Sequence, residues 1–118
     1  MSSQIYTERI LDYWEKAQNA KHPSTITHRI EVQSPICADN VYCEAHIVDD
    51  VLQEIGMFPR GCCLCDAASV IVAEYFEGRT LAELATFTEA DLHKLIGNVP
   101  EDRNYCVSMG LRALQGLK

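Results

Sequence analysis

Apolar positions change period along the chain, and each change marks an element. Tyr6, Ile10, Tyr13, Trp14 and Ala17 recur at three- and four-residue steps, with Glu8, Arg9, Asp12 and Lys16 elsewhere. That spacing predicts an amphipathic helix. Ser2 or Ser3 supplies its cap, and Pro23 in Lys21-His22-Pro23-Ser24 lies beyond its end. From Ile26 the period drops to two: Ile26, His28, Ile30 and Val32 alternate with Thr27, Arg29, Glu31 and Gln33, as in a half-buried strand. Ser34-Pro35 breaks that strand, and Cys37-Ala38-Asp39-Asn40 follows as a loop. A second strand sets Val41, Cys43, Ala45 and Ile47 against Tyr42, Glu44 and His46. Asp49-Asp50 then makes a tight turn into a third strand, Val51 to Phe58.

After Pro59-Arg60-Gly61 the pattern is helical. Ala68, Ile71, Val72, Tyr75 and Phe76 share one face of a helix from about Cys62 to Glu77, which Gly78 stops. Thr80 with Glu83 forms a capping box for a short helix. Thr88 opens another, ending at Gly97-Asn98, and Pro100 leads into a last helix with Met109, Ala113, Leu114 and Leu117 as its stripe. A run of strands followed by a run of helices predicts an α+β fold: a small three-stranded antiparallel sheet with helices packed on one face.

The 118 residues fit one domain, with 47% hydrophobic and 23% charged residues. Apolar stretches are too short to span a bilayer, and the start of the chain has no apolar core of a secretory signal. A cytoplasmic protein with no membrane association is expected. Seventeen acidic and ten basic residues give a net charge of −7 with no Lys/Arg cluster, so nucleic acid is not an expected partner. An acidic surface suits a soluble partner with a basic docking patch.

Six cysteines change the picture. In a reducing compartment, clustered thiols point to metal or redox chemistry rather than disulfides. In an antiparallel meander, the turn holding Cys37 lies at the same end of the sheet as the exit of the third strand, where Cys62 sits. Cys62 opens a helix, whose positive end favours a thiolate. Cys106 lies near the start of the last helix, just after Arg103, under the same influence. Three such thiols with the carboxylate of Asp39 could give a four-ligand site. Cys43, on the inward side of a strand, reads as core. His22, His28, His46 and His93 lack the pairing of a zinc site and read as structural or surface residues.

The same residues carry a family resemblance over nearly the whole chain. Tyr6-Thr7-Glu8-Arg9-Ile10-Leu11-Asp12-Tyr13 is similar to the opening helix of the iron–sulfur cluster scaffolds, the IscU family and the N-terminal domain of NifU. Asn19 falls near that family's asparagine turn. Ser34-Pro35-Ile36-Cys37-Ala38-Asp39 resembles its first ligand motif. Gly61-Cys62, then Ala67-Ala68-Ser69 and Glu77-Gly78-Arg79-Thr80-Leu81, resembles the second cysteine and its helix. Tyr105-Cys106-Val107-Ser108-Met109-Gly110 with Ala113-Leu114 resembles the third, nearest the NifU version.

The resemblance implies that residues 1–118 form a single scaffold domain, not an enzyme, on which iron–sulfur clusters are assembled and handed on. It makes Cys37, Cys62 and Cys106 the cluster ligands and Asp39 the labile fourth, with Cys63 and Cys65 as alternates in the run Cys62-Cys63-Leu64-Cys65-Asp66. The implied cargo is a 2Fe–2S cluster, with 4Fe–4S on a dimer as the alternative and zinc able to take the same ligands. The implied partners are a cysteine desulfurase that supplies sulfur and apo iron–sulfur acceptor proteins, the chain being a monomer or homodimer. Two departures stand out. Tyr105 replaces the histidine usual before the third cysteine. Pro100-Glu101-Asp102-Arg103 replaces the stretch a dedicated chaperone reads, keeping only its first proline and a basic end. Two other readings stay open: a zinc-bound sulfur acceptor of the same fold, and a thiol redox protein using Cys62-x-x-Cys65.

Overall fold

A computed structural model describes residues 8–35, 38–97, 99 and 101–117. It has the order α1 (Glu8–Ala17), β1 (His28–Gln33), β2 (Asn40–Val48), β3 (Val51–Arg60), α2 (Cys63–Phe76), α3 (Leu81–Ala85), α4 (Glu89–Ile96) and α5 (Asn104–Gln115). A single 3-10 turn, Glu101–Arg103, precedes α5. The sheet is the expected antiparallel meander, β1-β2-β3. Helices α2 and α5 lie on its inner face, α2 against β3 and α5 against β1 and β2.

The β2–β3 hairpin turns on Asp49 and Asp50, at φ 52° and 62°. Positive φ at both central residues is the turn whose twist matches paired strands, and Asp tolerates it better than most residues. Pairing begins Val48↔Val51 and Ile47↔Leu52, then shifts to His46↔Glu54. The extra residue is Gln53, so β3 carries a bulge. The bulge explains why β3 fails to alternate cleanly: Leu52 points inward before it, Ile55 and Met57 after it. Those side chains meet Ile47, Ala45 and Cys43 of β2, which in turn face Ile30 of β1 through Cys43.

At the other end of the sheet, Asn40 pairs with both Gln33 and Arg60. The β1–β2 loop and the exit of β3 therefore lie side by side, as the meander requires. The same register carries the Ser34 N–H to the Asp39 carbonyl at 2.9 Å and brings Asp39 level with Gly61.

Helix α2 is apolar nearly all round and runs through the middle of the fold, with Leu64, Cys65, Ala67, Ala68, Ile71, Val72 and Phe76 buried. Phe76 is edge-on to both Tyr75 and Phe87, with ring centroids 5.0 Å apart in each case. Small residues let α5 approach closely: a Cβ at Gly110 would stand 2.7 Å from the Ser69 Cα. Beyond α2, the Gly78 N–H donates to the Leu52 carbonyl at 2.6 Å and the Leu52 N–H to the Arg79 carbonyl at 2.9 Å, fastening that end to the hairpin. Thr80 and Thr88 open α3 and α4 with capping boxes to Glu83 and Asp91. Arg9 of α1 donates to the carbonyls of Ile96 and Leu95, both at 3.0 Å, closing the end of α4.

Several details differ from the sequence expectation. The first strand starts at His28 rather than Ile26, which is exposed; the Thr27 hydroxyl accepts the Ile47 N–H at 2.8 Å and ends regular pairing there. Trp14 is also exposed, because Ile10 and Ala17 take the buried stripe of α1. The third strand runs two residues further, to Arg60. Ser2, Ser3 and Tyr6 lie outside the described residues. The outer face of the sheet is partly covered by the segment after α1: His22 stacks on Phe58, centroids 4.5 Å apart, and pairs with the buried Glu44 carboxylate.

Gly110→Ala tests the α2–α5 contact. Forcing a methyl against Ser69 costs roughly 1–3 kcal/mol of strain, more than the helix propensity alanine regains. The urea midpoint should fall; an unchanged or higher midpoint means that the helices do not pack this closely.

Candidate metal centre

Three chain segments converge where the sheet meets the first turns of α2 and α5. Cys62 caps α2, in extended backbone at φ −68° and ψ 164°, its sulfur accepting the Cys65 N–H at 3.4 Å. Cys106 lies in the first turn of α5. Asp39 enters from the loop before β2. The ligand atoms of Asp39, Cys62 and Cys106 all lie within 4.8 Å of one another, and each residue is half-buried. In a tetrahedral zinc site with 2.3 Å bonds to sulfur, adjacent sulfurs are about 3.8 Å apart. A side-chain adjustment of about one ångström would thus bring the set to ligation distance. Two soft sulfurs and a hard oxygen fit zinc or iron better than magnesium or calcium.

Cys37, two residues before Asp39 in sequence, lies outside the described residues. Cys63 and Cys65 are not members of the convergent group. Cys63 is the first helical residue, and burial, then the Asp66 charge, raises its thiol pKa. Cys65 is fully buried beneath the group; burial first, with the Asp39 and Asp66 charges next, pushes its thiol well above the ordinary range. A thiol so disposed is a poor attacking group, which weighs against Cys62-x-x-Cys65 as a redox pair. Cys43 is core, with burial pushing its thiol up to about 12. The Arg112 guanidinium lies over the Tyr105 ring, 4.7 Å from its centroid.

The positioning of Asp39 rests on residues that periodicity does not single out. A Cβ on Gly61 would stand 2.7 Å from the Asp39 Cγ and 2.8 Å from one carboxylate oxygen. Only glycine leaves room for that carboxylate. The Gly61 N–H in turn donates to Asp66 Oδ1 at 3.0 Å, and Gln18 Nε2 of the turn after α1 lies 3.5 Å from Asp66 Oδ2. Asp66 is buried within an otherwise apolar helix. An acid interrupting the run from Leu64 to Val72 was the one signal in the sequence that could have found it. Burial raises its carboxyl pKa to about 6, against the hydrogen bonds from Gly61 and Gln18. Arg103, at the head of α5, extends its Nη1 to 3.8 Å from the Cys62 sulfur.

Residues 5–116 match the family model described as the NifU-like N-terminal domain. The chain belongs to that family. Among relatives of NifU, it is 22% identical over 111 residues to the iron–sulfur cluster assembly scaffold protein IscU of Aquifex aeolicus, covering 92% of this chain and 71% of that protein. It is 26% identical over 111 residues to the bifunctional protein NifU/MnmA of Rubrobacter xylanophilus, covering 92% of this chain but only 23% of that much longer protein. The fold is that of the N-terminal part of a nitrogen-fixing NifU-like protein from Brucella abortus, with a TM-score of 0.76 at 20% identity over 96% of this chain and 91% of that one. The NifU-like fold thus accounts for the meander and the central helix. No helix among the described residues is long and apolar enough to cross a membrane.

A titration isolates Asp66. Its folded-state pKa, about 6, lies above the ordinary carboxylate value. The folded state therefore retains a proton that the unfolded chain releases, and stability is lost as pH rises through that window. In metal-free protein, Asp66→Asn removes the buried charge while its amide oxygen can still accept the Gly61 N–H. The variant should gain roughly 1–2 kcal/mol over the wild type at pH 7, with the gain vanishing near pH 4. Urea midpoints at the two pH values measure it; a variant no more stable at pH 7 contradicts the assignment.

Proposed function

We propose that this NifU-like domain, taken as one unit over the whole chain, is a scaffold on which an iron–sulfur cluster is built and from which it is released, rather than an enzyme. The observation that carries the reading is the meeting of Asp39, Cys62 and Cys106 from three distant segments, within 4.8 Å, in a chain of this family. In this reading Cys37, Cys62 and Cys106 are thiolate ligands, and Asp39 is the fourth. Sulfur arrives from a cysteine desulfurase, iron binds at the thiolates, and apo acceptor proteins take the finished cluster.

The ligand chemistry supports assembly with release. Thiolates hold iron in a sulfide cluster strongly, whereas a carboxylate oxygen is a harder and poorer match. A half-buried carboxylate at the edge of the sheet is the ligand that an incoming thiol displaces most readily. In this reading a 2Fe–2S cluster is the cargo of the monomer, and a 4Fe–4S cluster on a dimer is the alternative. Zinc fits the same donors, and a zinc-bound sulfur acceptor is the reading the experiment must separate.

Anaerobic incubation with ferrous iron, cysteine, a desulfurase and dithiothreitol, which reduces the delivered persulfide sulfur to sulfide, should give the charge-transfer absorption of a cluster in the wild type. Cys37→Ala, Cys62→Ala and Cys106→Ala should each abolish or strongly reduce it. Stoichiometric zinc that iron and sulfide cannot displace would instead favour the sulfur acceptor.

If exchange of the Asp39 carboxylate on and off the metal is the step that starts release, Asp39→Ala removes that step, and its cluster should decay more slowly in the presence of an apo-acceptor. Faster loss than in the wild type contradicts the role given to Asp39.

A further inference from the structure

The basic residue at the head of α5 turns into the site. Arg103 ends the 3-10 turn and occupies the N-cap of α5, but its side chain makes no capping hydrogen bond there. The half-buried side chain instead reaches a sulfur 41 positions away in sequence, placing Nη1 at 3.8 Å from Cys62 Sγ. Cys62 Sγ also accepts the Cys65 N–H at 3.4 Å. One sulfur of the convergent group thus receives two N–H donors, one of them a full positive charge. Arg112, nine residues further along, is engaged differently: its guanidinium covers the Tyr105 ring and pairs with Glu89 at 3.6 Å.

We propose that Arg103 is a positioning residue of the metal centre, holding the Cys62 sulfur in place and drawing electron density from it. This rests on the scaffold reading only in what the site carries; the contact itself is independent of the cargo. Donor hydrogen bonds and a nearby positive charge both make a thiolate a weaker electron donor to its metal, and both raise a cluster's reduction potential. The guanidinium suits the task because it stays charged and its rigid fork holds direction. A sulfur whose lone pairs are shared with Arg103 binds iron less covalently, which favours release. Arg103 therefore belongs to the chemistry of the site, not to a basic tip offered to a passing partner.

Cobalt(II), which reports sulfur donation through its thiolate-to-metal charge-transfer band, tests this without a cluster. Wild type, Arg103→Gln, Arg103→Lys and the control Arg112→Gln are each loaded anaerobically with one equivalent of Co(II), after circular dichroism confirms the fold. Arg103→Gln should move the band to lower energy, Arg103→Lys should fall between it and the wild type, and Arg112→Gln should leave it in place. In reconstituted protein, the cluster's reduction potential should shift negative in Arg103→Gln and less so in Arg103→Lys. Identical bands and potentials in wild type and Arg103→Gln overturn the proposal, as does an equal shift in Arg112→Gln. If Arg103→Gln does not fold, the Arg103→Lys band decides alone. A wild type that gives the cobalt band but never a cluster sinks the scaffold reading and leaves Arg103 to be judged by the band. A wild type that takes up neither overturns both.

Discussion

The approach of the Asp39 carboxylate to the α-carbon of Gly61 is the contact on which the rest of the site depends. It requires strand register, because Asp39 is level with Gly61 only when Asn40 pairs with Arg60. That pairing in turn requires the bulge at Gln53. Without the extra residue, the hairpin that starts Val48↔Val51 would set Asn40 against Pro59 and bring Asp39 opposite Arg60, a long side chain where only a hydrogen now fits. A turn and a bulge some 20 Å away along β3 thus decide which atom faces the thiols.

Helix α2 converts that register into a site. One end is tied to the hairpin through Gly78, Arg79 and Leu52, and the other carries Cys62. Its small residues let α5 lie against it, and the close approach of Gly110 to Ser69 sets where the first turn of α5, with Cys106, comes to rest. The thiols do not organise the fold; a packed apolar helix fixed at both ends organises the thiols. This is what a scaffold that must also stand empty needs, since a site held together only by its metal would collapse on release.

The elements were legible because their signals are local. Capping boxes at Thr80 and Thr88, the Asp49-Asp50 turn, and the two-residue period through Cys43 and Ala45 each depend on neighbours in sequence, and each appears as read. The meeting of Cys62 with the Asp39 loop followed from topology alone. What escaped was set by tertiary contact. Trp14 and Ile26 carry apolar side chains at the right period but lie where packing covers them only in part, so pattern alone overstates their burial. Gln53 gives no sign of a bulge. Asp66 and Arg103 are charged, and charge read along a chain suggests solvent; only coordinates reveal that one is buried under Gly61 and the other aimed at sulfur. In the sequence Gly61 stands out only for its place beside Cys62, because the carboxylate that makes glycine necessary there is a tertiary neighbour.

These charges also explain why the site leans towards a cation without being overwhelmed by negative charge. Asp39 and Asp66 add negative charge beside the thiols, and burial first, then these two charges, pushes the Cys65 thiol upward. Thiolates and carboxylates gathered in one place repel one another. An incoming cation relieves that repulsion, so it binds where charge has accumulated; Arg103 relieves part of it in advance, at the Cys62 sulfur. The two effects oppose each other. Carboxylates strengthen capture, and the guanidinium weakens the hold of Cys62 on what is captured. A site built only of acids and thiolates would bind and keep its metal. Placing a fixed positive charge against one ligand, and making another ligand a carboxylate oxygen, is how the same few residues can bind and still let go.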